Sequence, residues 1–195
     1  RVAAVCAIGG YADLPNCLRS IFSDEDADPY ALLIVLANFI QGDAGPLTGA
    51  HEALFWAARA NFTDATIDPR DHFGELPPAT RTMLHGLLGD RDQRLTQLHR
   101  LMTRCADTVA ALNPIDLIAG LQAPVTLLHG ALDDVIPPEQ SRSMAKAVGD
   151  MGLPCTLTIT DILSHGDTAI GPRRLVQEGP AVIRAFDRFL RACTR

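Results

Sequence analysis

Residues 123–141 read Ala-Pro-Val-Thr-Leu-Leu-His-Gly-Ala-Leu-Asp-Asp-Val-Ile-Pro-Pro-Glu-Gln-Ser. Pro124 to His129 is an apolar run closed by Gly130, and such a run bounded by a turn signal reads as a buried strand. Pro137, Pro138 and Glu139 then open a helix, because proline is tolerated in a first turn. Ala145, Val148 and Met151 give that helix an apolar stripe, and Gly152 ends it. Pro154 to Thr160 (Pro-Cys-Thr-Leu-Thr-Ile-Thr) is a second strand, rich in β-branched residues. Strand, helix, strand is a βαβ unit, which predicts two parallel strands joined by a right-handed crossover.

Working outward, Val2 to Ile8 is a further apolar run, ended by Gly9-Gly10. Strands that are apolar throughout suit a parallel sheet covered on both faces. The expected fold class is therefore α/β, with three adjacent parallel strands near 2–8, 124–129 and 154–160. A final helix is expected from Pro180 to Cys193, where Val182, Ile183, Phe186, Phe189 and Leu190 recur at helical spacing. Between the first two strands the pattern is helical. Tyr30 to Ile40 reads as a core helix, and Leu47–Asn61, Pro77–Leu88 and Arg91–Leu112 read as amphipathic ones. Asp64–Gly74 is polar and turn-rich and reads as a loop. The organisation expected is one domain over 1–195, interrupted by a helical insertion over 24–113.

Composition narrows the function classes. The chain has 195 residues, 47% hydrophobic and 21% charged, which is globular composition. Its 17 basic and 23 acidic residues give a net charge of −6, and Lys146 is the only lysine. The arginines are scattered, the densest point being Arg173-Arg174, so no basic cluster marks a nucleic-acid or anionic-membrane partner. No stretch reaches the roughly 18 apolar residues of a membrane span. Five widely spaced cysteines without a CxxC pair argue against a disulfide framework or zinc site and fit a cytoplasmic setting. Cys6, Cys105 and Cys155 sit among apolar residues and read as small buried hydrophobes. Arg1 is followed at once by the apolar run, so the sequence reads as a piece of something longer.

Ligands of open α/β sheets bind outside the carboxyl ends of the strands. Two residues with useful chemistry fall at that edge. Asp133 follows the strand ending at His129, and His165, in Ser164-His165-Gly166-Asp167, follows the strand ending at Thr160. They lie 32 residues apart, one βαβ unit. A histidine general base needs a carboxylate on its second nitrogen to fix its tautomer and steady the imidazolium, and the spacing offers one. Asp134 reads as the solvated neighbour, and His129 as structural.

The segment His129-Gly130-Ala131-Leu132-Asp133-Asp134-Val135-Ile136-Pro137, followed by Ser164-His165-Gly166-Asp167, resembles the C-terminal half of an α/β-hydrolase fold serine hydrolase. The resemblance implies a Ser-His-Asp triad with Asp133 as its acid and His165 as its histidine. It implies that Val2–Ile8 is the strand after the nucleophile helix and that 24–113 is the lid. The substrate class implied is a small or hydrophobic ester, or a peptide or amide, with no cofactor and no metal. The family's Gly-x-Ser-x-Gly nucleophile elbow is absent, since none of Ser20, Ser23, Ser141, Ser143 and Ser164 sits in such a turn. The nucleophile and oxyanion donors are therefore expected upstream, in a missing N-terminal half of the same fold. The chain alone is expected to be inactive, with Ser164 and Cys6 the first suspects if it is not.

Other readings stand beside this one. A relative with an aspartate nucleophile, of epoxide-hydrolase or dehalogenase type, has the same C-terminal half. A non-catalytic binding module could keep the scaffold. A nucleotide-binding protein is disfavoured, for neither GxGxxG nor GxxxxGK[ST] occurs. His51-Glu52 fails as HExxH because position 55 is Phe, and His72, His85 and His99 have no ligand-spaced partners. Tyr11 could line a pocket or pack, and Phe55 and Trp56 read as core.

Overall fold

Pro124 and Pro154 set where the sheet begins. The computed structural model describes residues 2–25, 29–39, 47, 49–163 and 170–194. Among them three strands, β1 (Val5–Ile8), β2 (Val125–Gly130) and β3 (Cys155–Thr160), form one parallel sheet in the order β1-β2-β3. Val5 N–H donates to the Pro124 carbonyl at 3.0 Å, and Val125 N–H donates to the Pro154 carbonyl at 2.9 Å. The next rung outward in each ladder would need an amide N–H from Pro124 or Pro154, and proline has none. Residues 2–4, expected in the first strand, accordingly lie outside it.

The chain folds as two compact units. One joins Arg1–Cys17 to Val109–Arg195 and holds the sheet; the other is Leu18–Thr108 and is helical. Helix α1 (Leu14–Ser23) follows β1. The helical unit then carries α2 (Pro29–Phe39), α3 (His51–Thr63), α4 (Pro78–Gly89), α5 (Arg91–Arg104) and the first half of the short α6 (Ala106–Ala111). In the sheet unit α7 (Pro114–Leu117) precedes β2, α8 (Glu139–Asp150) is the crossover to β3, and α9 (Pro172–Cys193) comes last.

Alternation along the strands assigns the faces. Val125 and Leu127 pack with Val148 of α8, and Val5, Ala7, Cys155 and Leu157 join them. The opposite face, which carries Thr126 and Thr156, meets α9. Ala185 is the buried centre of α9, with Val182 and Phe189 half-buried beside it. A second apolar arc on the same helix, Val176, Ile183, Phe186 and Leu190, is exposed. In the helical unit α2 buries Leu32, Leu33 and Leu36 and packs on α3, which buries Leu54, Ala57 and Ala58.

Several expectations change. The final helix starts at Pro172, eight residues early, and Pro180 sits inside it. A proline removes one helix hydrogen bond, and a helix packed along a sheet tolerates the loss. The helix expected over 91–112 breaks at Cys105, whose backbone (φ −106°, ψ 24°) leaves the helical region. The expected loop 64–74 contains a 3-10 turn, Pro69–Phe73, with Phe73 fully buried. Met151 lies past the end of α8, exposed. Phe55 and Trp56 are exposed too, at 45% and 46%. Cys6, Cys105 and Cys155 are only partly buried, and Cys17 is the buried cysteine. No helix among the described residues is long and apolar enough to cross a membrane.

Candidate functional site at the carboxyl edge of the sheet

Asp133 is 8% exposed and sits three residues beyond β2. Its Oδ1 accepts the backbone N–H of Val135 at 3.1 Å and of Ile136 at 2.8 Å. Those two bonds fix the carboxylate and curl the loop that carries it, the usual work of an aspartate in a turn. Its Oδ2 lies toward the end of β1, where a Cβ on Gly9 would stand 3.7 Å away. Gly9 has φ +60°, a left-handed conformation that glycine adopts without steric cost. Asp134 is exposed.

His129, at the end of β2, is fully buried. Its Nε2 lies 2.7 Å from the Ile136 carbonyl, which can only accept, so Nε2 carries the proton. Its Nδ1, 2.6 Å from Ser141 Oγ, then accepts the hydroxyl proton. Asp133 Oδ2 is 3.7 Å from Nε2, beyond hydrogen-bond reach. Ser141 and His129 thus form a buried, hydrogen-bonded pair that pins the loop, with the Asp133 carboxylate beside it. The histidine gives its proton to a backbone carbonyl instead of the carboxylate, and the serine is 3% exposed. The Ser141–His129 pair is structural, as the sequence suggests for His129.

The segment after β1 is held by side chains from far along the chain. Gln140 Oε1 accepts the N–H of Ala12 at 3.0 Å and of Asp13 at 2.9 Å, and its Nε2 donates to Asn16 Oδ1. Asn113 Oδ1 accepts the Leu14 N–H at 2.7 Å, while its amide donates to Asp116. Tyr11 donates its hydroxyl to the Leu112 carbonyl at 3.2 Å. Sequence reasoning missed Gln140 and Asn113, because their partners lie about a hundred residues away and no local pattern announces them.

Two cysteines bear on the search for a nucleophile. Burial, and then the negative charges of Asp133 and Asp13, push the Cys17 thiol up to about 11. Burial, and then Cys193, push Cys6 up as well. Reactive cysteines need the opposite shift, so both are neutral thiols at pH 7. His165 and Ser164 lie outside the described residues. A cavity of about 960 Å³, lined by Val2, Leu121, Pro124, Pro154 and Arg188 among others, opens at the amino ends of the strands, away from Asp133. No group of three His, Cys, Asp or Glu that could hold a metal occurs among the described residues. No protein-family model, no curated protein and no solved structure matches the chain.

Proposed function

We propose that the protein is an ester hydrolase of α/β-hydrolase type. In this reading Asp133 orients His165 as general base, and a preceding segment of the same fold supplies the serine nucleophile. The observation that carries it is the setting of Asp133: a buried carboxylate at the carboxyl edge of the middle strand, one oxygen locked by two backbone amides. A carboxylate so fixed can hold an imidazole in one tautomer and stabilise its charged form. The chain leaving β3 runs past the end of β2, with the Leu163 carbonyl against Gly130, and His165 follows Leu163 by two residues.

Two surfaces support a preceding half-fold. The outer edge of β1 has no strand partner among the described residues. The second apolar arc of α9 is exposed. An open edge and an apolar helix face in one unit are what a continuing sheet covers. A small or hydrophobic ester is the substrate class of this reading. A cytoplasmic setting belongs to it as well, supported by five free thiols.

The test is p-nitrophenyl ester hydrolysis by the 195-residue chain, by an upstream-extended chain, and by the latter's His165→Ala and Asp133→Asn variants. The expected result is no turnover by the short chain and turnover by the extended one, lost in His165→Ala. An extended chain that carries Gly-x-Ser-x-Gly and is still inactive overturns the reading and favours a binding module.

A further inference from the structure

Four of the ten aromatic residues gather on one face of α2 and α3. Phe55 and Trp56 meet edge to face with centroids 5.9 Å apart, and Phe62 stands 5.2 Å from Tyr30. Phe62 is 57% exposed. Arg59 lies over the Trp56 ring, its guanidinium carbon 5.4 Å from the centroid. At about 100° per residue, Glu52, Phe55, Arg59 and Phe62 share one side of α3, with Trp56 beside them. Glu52 and Arg59 are both exposed, and neither makes an ion pair among the described residues.

The order of these residues is self-complementary. Glu52 and Arg59 lie two turns apart, with Phe55 and Trp56 midway. If two copies of α3 pack antiparallel about a two-fold axis at that midpoint, Glu52 of each copy faces Arg59 of the other. Phe55 of each then faces Trp56 of the other. Every contact occurs twice, as an isologous interface requires. Tryptophan, phenylalanine, tyrosine and arginine are also the residues enriched in interface cores and hot spots. From this pattern we propose that the α3 face is a homodimer interface, its occupant a second copy of this chain, sealed by two Glu52–Arg59 pairs around stacked aromatics. The inference is independent of the hydrolase reading.

Sedimentation equilibrium of the intact chain tests it, with circular dichroism to verify folding. Wild type is expected to dimerise. Glu52→Arg puts two arginines on the face and Arg59→Glu two glutamates, so each variant alone opposes like charges. Each should self-associate about a hundredfold more weakly or worse. Mixed together, the two variants should form a heterodimer, and the Glu52→Arg/Arg59→Glu double variant should dimerise again. A monomeric wild type overturns the proposal, even if the face then binds phosphatidylcholine vesicles or a peptide. Single variants that dimerise like wild type overturn it, as do a mixture and a double variant that both stay monomeric.

Discussion

The side-chain carbonyl of Gln140 accepts the backbone N–H of Ala12 at 3.0 Å, tying the first turn of α8 to the segment that leaves β1. Ala12 is fully buried, and the same oxygen also takes the Asp13 N–H. Gln140→Ala strands these donors, a loss of about 2–4 kcal/mol for two unsatisfied groups. Gln140→Glu keeps the acceptor and loses only the donation to Asn16, so it should cost clearly less. Urea unfolding of the three proteins checks the order.

Asp133 permits a similar separation of roles. Asn in its place retains the oxygen that Val135 and Ile136 bind, while Ala removes it. Asp133→Asn should leave the folded state within about 1 kcal/mol of wild type, and Asp133→Ala should lose about 2 kcal/mol or more. In an active, extended protein Asp133→Asn should nonetheless lower kcat on the order of 10⁴-fold, because the wrong imidazole tautomer is then favoured. Equal ester hydrolysis by Asp133→Asn and wild type would contradict the assigned role.

Ser141→Ala should behave in the opposite way. It strands the buried Nδ1 of His129, at a cost of about 1–3 kcal/mol. Ester turnover by the extended protein should not change, for this serine bonds to a histidine committed to the loop. Complete loss of turnover in a folded Ser141→Ala protein would make the buried group catalytic.

Two glycines make a matched pair. A Cβ on Gly130 would collide with the backbone carbonyl of Leu163, whereas one on Gly86 would meet only the end of the Gln93 side chain. Backbone cannot step aside as a side chain can. Gly130→Ala should destabilise by about 1–3 kcal/mol. Gly86→Ala, inside α4, should be neutral or gain up to about 1 kcal/mol of helix propensity. Thermal unfolding distinguishes them.

Cys17 links stability to alkaline pH. Its thiol titrates at about 11 in the fold against 9.0 ordinarily, so between these values the native state holds a proton that the unfolded chain has released. Its contribution is complete below pH 9 and fades as pH rises through 11. The fall should amount to about 2–3 kcal/mol in this window. Cys17→Ala should flatten that part of the profile, whatever it does to stability at pH 7. Denaturant midpoints from pH 8 to 11 provide the comparison.

The strands were legible because Val125–Leu128 and Cys155–Thr160 are apolar or β-branched throughout, and the place of Asp133 at the carboxyl edge because it follows the end of the first of these runs. Helix α1 was overlooked, although Leu14, Cys17, Leu18, Ile21 and Phe22 are a helical stripe, all of it buried. Pro15 near its start looks like a breaker, yet proline fits a first turn, and Asp13 Oδ1 caps the helix by accepting the Asn16 N–H. Pro180 misled in the same way, marking a helix start where the helix was already two turns old. The exposure of Trp56 was hidden because aromatic content reads as core until the neighbouring helices are placed. The long-range clamps at Gln140 and Asn113 have no local signature at all.

The sheet order has a consequence for assembly in time. β2 pairs with β3 across 30 residues, while β1 pairs with β2 across 120. Two doublings of loop length add about 1.2 kcal/mol of closure entropy. The β2-α8-β3 unit is therefore the favoured nucleus, and β1 docks late. During translation at roughly 5–20 residues per second, β1 emerges about 6–24 s before its partner strand exists. Through that interval Val5, Cys6, Ala7 and Ile8 are an apolar segment whose β2-facing edge is open, a stretch with need of a holding chaperone.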